Sequence, residues 1–224
     1  QLYIDASDLR IRNDAEASIA APWLTLGETN YDAPLNPVTE KPSFGQGYLT
    51  LSGQEVELTG NLRISGAAQT ALVSQGSLLA HGARPTDVGK AAELPAVLSS
   101  NGDLSLISRV LYPGTLSNIT IESTAPDGTV EIASNGQAVP KVLSAGGKLA
   151  VKAKQIEISG AISAPFGSVT LNGEDVHLAS SAVVNVSGDN QLIPLGSIIG
   201  NDLDWLYSLN PQNSSASSTL IENT

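Results

Sequence analysis

Two histidines, His81 and His177, and twenty-two carboxylates are the groups in this 224-residue chain best suited to moving protons near neutral pH. Cysteine is absent, which removes thiolate nucleophiles, disulfides and thiolate metal sites. A Ser/His/Asp arrangement needs a base held by an oriented partner. His177 lies between Val176 and Leu178, so on an alternating strand it points to solvent. His81 opens the loop "HGARP", with no oriented partner visible in the sequence. Polysaccharide cleavage needs two close carboxyls of different pKa, or a calcium-bound acidic cluster with a base. The nearest pairs are Glu174 with Asp175 in "GED" and Asp202 with Asp204 in "NDLDW". No calcium nonapeptide repeat, EF-hand loop or HExxH helix occurs. The sequence therefore assigns no catalytic residue, no metal site and no cofactor, and it reads as a non-enzyme.

Aromatic side chains offer a second chemistry, the stacking of sugar rings. Trp205 and Tyr207 in "DLDWLY", and Trp23 with Tyr31, are the candidate glycan platforms; the same residues could instead cover apolar surface. The net charge of −11 opposes nucleic acid and anionic membranes as partners, because phosphate binding needs clustered Lys and Arg. No stretch of 18 apolar residues is present. The chain opens on "QLYIDASDLRI" without a methionine and reads as a mature fragment of something longer.

The elements that would carry these groups follow from a repeat. From Leu149, apolar residues recur at Val151, Ile156 and Ile158; from Val169, at Leu171, Val176 and Leu178. The same figure starts at Leu49 (Leu51, Val56, Leu58) and at Leu2 (Ile4, Leu9, Ile11). Each pair is two apart, the period of a strand with one buried face. The step of five between pairs requires a bend, filled by "DASD", "SGQE", "KAKQ" and "NGED". Short strands joined by tight bends, in a register of about twenty residues, predict an all-β fold: a right-handed parallel β-helix whose aliphatic residues stack in ladders. Stacking all four starts in one register puts Arg10, Glu57, Glu157 and His177 in a single outward column. It also groups Ser7, Gln54, Lys154 and Glu174 at one corner. Only 4% of residues are aromatic, which suits a narrow interior of Val, Ile, Leu and Ala.

Breaks in the pattern divide the chain. Residues 1–21 form a first coil. Residues 22–48, with four prolines, leave the stack as a loop, since proline cannot donate to a ladder. Coils resume over 49–186, interrupted by a loop at 81–102 with a short helix near 88–94. Residues 187–212 form an extra-helical segment, and the Ser/Asn-rich 213–224 a flexible tail.

Residues 146–207 carry "GAISAPFGSVTL", then "VNVSGD", then "LIPLG" and a tryptophan. This combination resembles the filamentous-haemagglutinin family of large bacterial exoproteins, as an internal piece of the filament. The resemblance implies secretion across a Gram-negative outer membrane by two-partner secretion, with an outer-membrane transporter as partner. It also implies a cell-surface or secreted location and a role in adhesion, aggregation or biofilm. The expected partners are host-cell or matrix glycans or proteins, together with neighbouring β-helix coils of a parent chain. The NPN-type motifs of the family's secretion domain are missing; only "NPQ" at 210–212 comes near. The alternatives from the residues themselves are a carbohydrate-binding module and a polysaccharide-degrading β-helix.

Overall fold

The computed structural model describes residues 1–12, 14–28, 45–82 and 94–189, and beyond them the backbone of two short strands. Every regular element among the described residues is a strand. The chain moves repeatedly through three parallel sheets, called A, B and C, always in that order. A first circuit contains β1 (Leu2–Ile4), β2 (Asp8–Arg10) and β3 (Glu16–Ala20), and a second contains β4 (Trp23–Leu26) in sheet A and β5 (Gly47–Gly53) in sheet C. Three full circuits follow: β6 (Glu55–Thr59), β7 (Asn61–Ser65), β8 (Ala67–Ser74); β9 (Leu78–His81), β10 (Leu94–Ser100), β11 (Asp103–Ser108); β12 (Leu111–Pro113), β13 (Ser117–Ser123), β14 (Thr129–Ser134). A sixth supplies β15 (Lys148–Lys152) and β16 (Gln155–Ile158) to sheets B and C. The seventh is β17 (Ala161–Ser163), β18 (Ser168–Asn172) and β19 (Asp175–Leu178), with β20 (Val183–Asn185) returning to sheet A. The last two strands, β21 (Ser197–Ile199) and β22 (Asp204–Leu206), pair antiparallel. Sheets A and C hold seven strands each and sheet B six, an arrangement compatible with a parallel β-helix or solenoid.

Period-two alternation puts one aliphatic face of each strand inside, and parallel pairing stacks those residues. In sheet A the ladder runs Leu24, Val56, Leu78, Leu111, Ile162, none more than 1% exposed. In sheet C, Ala17, Leu49, Thr70, Leu104, Val130, Ile156 and Val176 share one column. β-Branched and leucine side chains fit this pleated, closely stacked interior. The twenty-residue register holds where the sequence shows it most clearly: Leu149 pairs with Val169, Val151 with Leu171, Ile156 with Val176 and Ile158 with Leu178.

The single register for all four copies of the figure does not hold. Leu2, Ile4, Leu9 and Ile11 span the corner from A to B, Leu49 to Leu58 the corner from C to A, and Leu149 to Ile158 the corner from B to C. Any strand–corner–strand unit generates the spacing. Consequently Glu157 and His177 are true neighbours, whereas Arg10 lies in sheet B and Glu57 in sheet A. Likewise only Lys154 and Glu174 of the supposed corner group stack, through Glu174 N–H to Lys154 O.

Two rungs are absent. Sheet B passes from β2 directly to β7, across the circuit whose residues 29–44 lie outside the described residues. Sheet A passes from β12 to β17, because residues 135–147 form no strand. Those residues lie against the stack: Val142 packs on Val110, Ala161 and Tyr112, and Ser144 Oγ donates to Pro113 O at 2.6 Å. β4 and the start of β5 fall inside the stretch 22–48 expected to leave the stack, and β10 falls inside 81–102. Of the short helix expected near 88–94, residues 88–93 lie outside the described residues, and Leu94 begins β10.

Corners demand special backbone at few places. Gly66 has φ +84° where the chain turns from B to C, and a Cβ there would stand 2.0 Å from Ile11 O. The entry into sheet B uses a left-handed residue in three successive circuits: Leu116 at φ 56°, Gly146 at 71° and Phe166 at 56°. Each N–H donates one rung onward, to Ala145, Pro165 and Val186 carbonyls respectively.

Candidate functional site

The polar residues that converge do so on the outer face of sheet A. β6 turns Val56 and Leu58 inward, so Glu55 and Glu57 point out. Thr25 on β4 sits beside Glu57, and Thr59 pairs with His81 on β9. His81 Nε2 lies 2.7 Å from Glu57 Oε1, and His81 Nδ1 3.4 Å from Thr59 Oγ1 and 3.1 Å from Gly82 O. Trp23 Nε1–H donates to Glu57 Oε2 at 3.3 Å, and the Thr25 hydroxyl reaches the same oxygen at 3.5 Å. The hydrogen bond from His81 holds the Glu57 carboxyl below its ordinary value; partial burial opposes this, and the histidine's charge and the Trp23 and Thr25 bonds assist it. Tyr112, two rungs further along the same outward row, has its phenol pushed up by burial and by the negative charges of Glu55 and Glu57.

Thr59, His81 and Glu57 stand in the order of nucleophile, base and acid. Thr59 is only 5% exposed, and its hydroxyl stands 3.4 Å from His81 Nδ1. His81 Nε2–H donates to Glu57, and Nδ1 faces the nearer Gly82 carbonyl as well as the Thr59 hydroxyl. The bonds tie β4, β6 and β9 together across their outer face. Sequence reading finds no oriented partner for His81; the structure supplies Glu57, one circuit back. The signal was available in the apolar ladder: once Val56 stacks on Leu78, Thr59 falls beside His81.

Among the candidate glycan platforms, Trp23 is 48% exposed and fixed on the sheet by its bond to Glu57. Two residues along β4, Thr25 lines a cavity of about 270 Å³ together with Tyr3, Ile4, Asp5, Gly27 and Thr59. Tyr3 is 62% exposed. Trp205 belongs to β22, whose side chains are outside the described residues, as are Tyr31 and Tyr207. The aromatic residue that lines the cavity is Tyr3, which sequence spacing did not single out; Trp23 is not part of that lining.

The acidic pairs are dispersed. Glu174 and Asp175 stand at an exposed corner, where Glu174 lies over Lys154; Lys154 Nζ in turn binds Asp127. Asp202 lies outside the described residues. Among the described residues, no group of three or more His, Asp and Glu could hold a metal ion. A second cavity, about 330 Å³, opens at the corner from B to C between Asn101, Asp103, Pro126 and Asp127. The Asn101 side-chain nitrogen beside it is buried and without a hydrogen-bond partner. No helix among the described residues is long and apolar enough to cross a membrane. No known family, no curated protein and no solved structure matches this chain.

Proposed function

We propose that this chain is a right-handed parallel β-helix that serves as a structural and adhesive segment of a large secreted bacterial surface exoprotein, acting by presenting surface rather than by catalysis. The observation that carries the reading is the aliphatic ladder, continuous through three parallel sheets, with the polar side chains spread along the outside. A stack of this kind gains length with each circuit, because every rung buries its apolar face on the next. The net charge of −11 keeps such a surface soluble and unsuited to nucleic acid. The resemblance over residues 146–207 supplies the filamentous-haemagglutinin type, two-partner secretion and the cell-surface location. Displaying the chain on a non-adherent Gram-negative cell tests the reading. Attachment to host cells, matrix or glycans, or cell-to-cell aggregation, is the expected result; display without either overturns the adhesive role.

A carbohydrate-binding module is the second reading, favoured by one observation. Trp23 is exposed and oriented by Glu57, and Thr25, two residues along the same strand, lines a cavity with Tyr3 and Asp5. An indole fixed beside hydrogen-bonding groups is the usual chemistry of sugar stacking. Binding on a glycan array that Trp23→Ala abolishes supports it, and an array without hits removes it.

A further inference from the structure

The outer face of sheet A is negative as well as aromatic. Its strands contain two carboxylates, Glu55 and Glu57, and no lysine or arginine. Both carboxylates point outward from β6, because Val56 and Leu58 turn in. Trp23 pairs in register with Glu55, and its Nε1–H reaches Glu57 Oε2 at 3.3 Å, at the next outward position of β6. The exposed indole therefore crosses from the Glu55 column to the Glu57 column.

The two carboxylates differ in what they have left to give. Glu57 has both oxygens engaged, Oε1 by His81 and Oε2 by Trp23 and Thr25. Glu55 is exposed; its Oε2 accepts from Ser77 N–H at 3.0 Å, and its Oε1 lies over Gly76 without a hydrogen bond among the described residues. The neighbouring cations are committed elsewhere. His81 is held on Glu57, and Arg109, at the corner beside Gly76, gives its Nε–H to Ala138 O at 2.8 Å. The face keeps its charge: the bond from His81 holds the Glu57 carboxyl below its ordinary value. Burial, and then the charges of Glu55 and Glu57, push up the Tyr112 phenol two rungs away.

We infer that this face takes an amino sugar whose amine is free and protonated, its ring stacked on Trp23 and its ammonium against Glu55 Oε1. This rests on the carbohydrate-binding reading of Trp23 and names the class of sugar. An ammonium placed here gains twice, from the π-face of the indole and from an ionised carboxylate with an uncommitted oxygen. Acetylating the amine removes the charge and with it both gains. An acidic sugar meets two carboxylates and no lysine or arginine on these strands, and like-charge contact excludes it. The face thus discriminates by repulsion as well as by attraction.

Titration calorimetry on the full chain at about pH 6, where amine and carboxylates are both charged, tests it with the tetramers of glucosamine, N-acetylglucosamine and galacturonate. The glucosamine tetramer binds about three- to thirtyfold more tightly than its acetylated counterpart, and the galacturonate tetramer does not bind. Trp23→Ala abolishes binding of both amino-sugar tetramers. Glu55→Gln, which keeps an oxygen for Ser77 N–H, brings the glucosamine tetramer down to the affinity of the acetylated one and leaves the latter unchanged. Glu131→Gln, the same change of charge on sheet C, alters neither, and circular dichroism like that of the parent shows each variant folded. Equal affinity for the free and acetylated tetramers, a preference that survives Glu55→Gln, or binding of galacturonate overturns the inference and leaves the sugar reading in place. Glucosamine binding that survives Trp23→Ala is mere attraction of a polycation to the net charge of −11, and it too overturns the inference. Failure of all three tetramers on a chain that binds other sugars on an array overturns the inference alone; an array without hits removes both.

Discussion

Thr70 stands in an apolar column, between Leu49 and Leu104, with 0% exposure and no hydrogen-bond partner for its hydroxyl. Its methyl packs as a valine methyl would, but the hydroxyl gives up water and receives nothing. An unpaired buried hydroxyl costs about 1–3 kcal/mol. Thr70→Val keeps the volume and removes that cost, so it stabilises the chain by about 1–2 kcal/mol. For a chain of this length each kcal/mol moves the melting midpoint by roughly 2–4 °C. Ser74→Ala is the control. Ser74 is equally buried, but its hydroxyl lies 2.7 Å from Ser77 O and 3.1 Å from Gln54 O. Removing a satisfied hydroxyl destabilises by about 1 kcal/mol. The two substitutions, each deleting one buried hydroxyl, thus move the midpoint in opposite directions. Thermal and urea unfolding followed by circular dichroism measure both. A Thr70→Val chain no more stable than the parent refutes the reasoning.

Three further outcomes follow from the site and the corners. Because Glu57 sits below its ordinary value of 4.5 when folded, its stabilisation is full above that pH and is lost as pH falls through the folded value. His81→Ala removes the main cause, so the variant melts below the parent above that pH and the difference shrinks as pH falls through the folded value; a difference that does not change with pH counts against the pair. Gly27→Ala, at φ +124° with Thr59 O only 2.0 Å from the new Cβ, costs more than about 2 kcal/mol, whereas Gly136→Ala, at φ +82° in open space, costs about 1 kcal/mol; equal melting points for the two refute the clash. Val142→Ala uncovers Val110 and Ala161 and costs roughly 2 kcal/mol, read as faster amide exchange confined to β12 and β17; a uniform increase shows that this cluster is not separate from the main core.

The ladders were legible because burial imposes a period of two, and because residues 149–178 pass through sheets B and C twice without interruption. Leu149 over Val169 needs nothing beyond counting. Elsewhere counting misleads, since a strand, a corner and a strand give the same spacing at any of the three corners. Arg10 and Glu57 were therefore set in one column although they belong to different sheets. The Glu57–His81 pair was hidden for a related reason. Its residues are 24 positions apart in sequence and meet only through the pairing of β6 with β9. Thr70 is set in an apolar column only by the pairing of β8 with β5 and β11, which places Leu49 and Leu104 on either side of it.

The missing rungs show what sets the register. When residues 135–147 leave sheet A, β12 and β17 meet through a single residue pair, Leu111 with Ile162, yet sheets B and C carry on without interruption through β15 and β16. A circuit can thus lose one of its three strands, because the other two still bury their aliphatic residues on both neighbours. The freed segment then needs only a shallow seat of its own, which Val142 and Ser144 provide. Insertion at a corner is consequently cheap for the stack, while a polar inward residue such as Thr70 is costly. This asymmetry accounts for inward columns that are aliphatic apart from a few small hydroxyl residues such as Thr70, Ser100 and Ser123, while residues 135–147 can lie outside them. It also places Val139 and Leu143, 51 and 66% exposed on the described excursion, on an element free to vary without disturbing the ladders beneath.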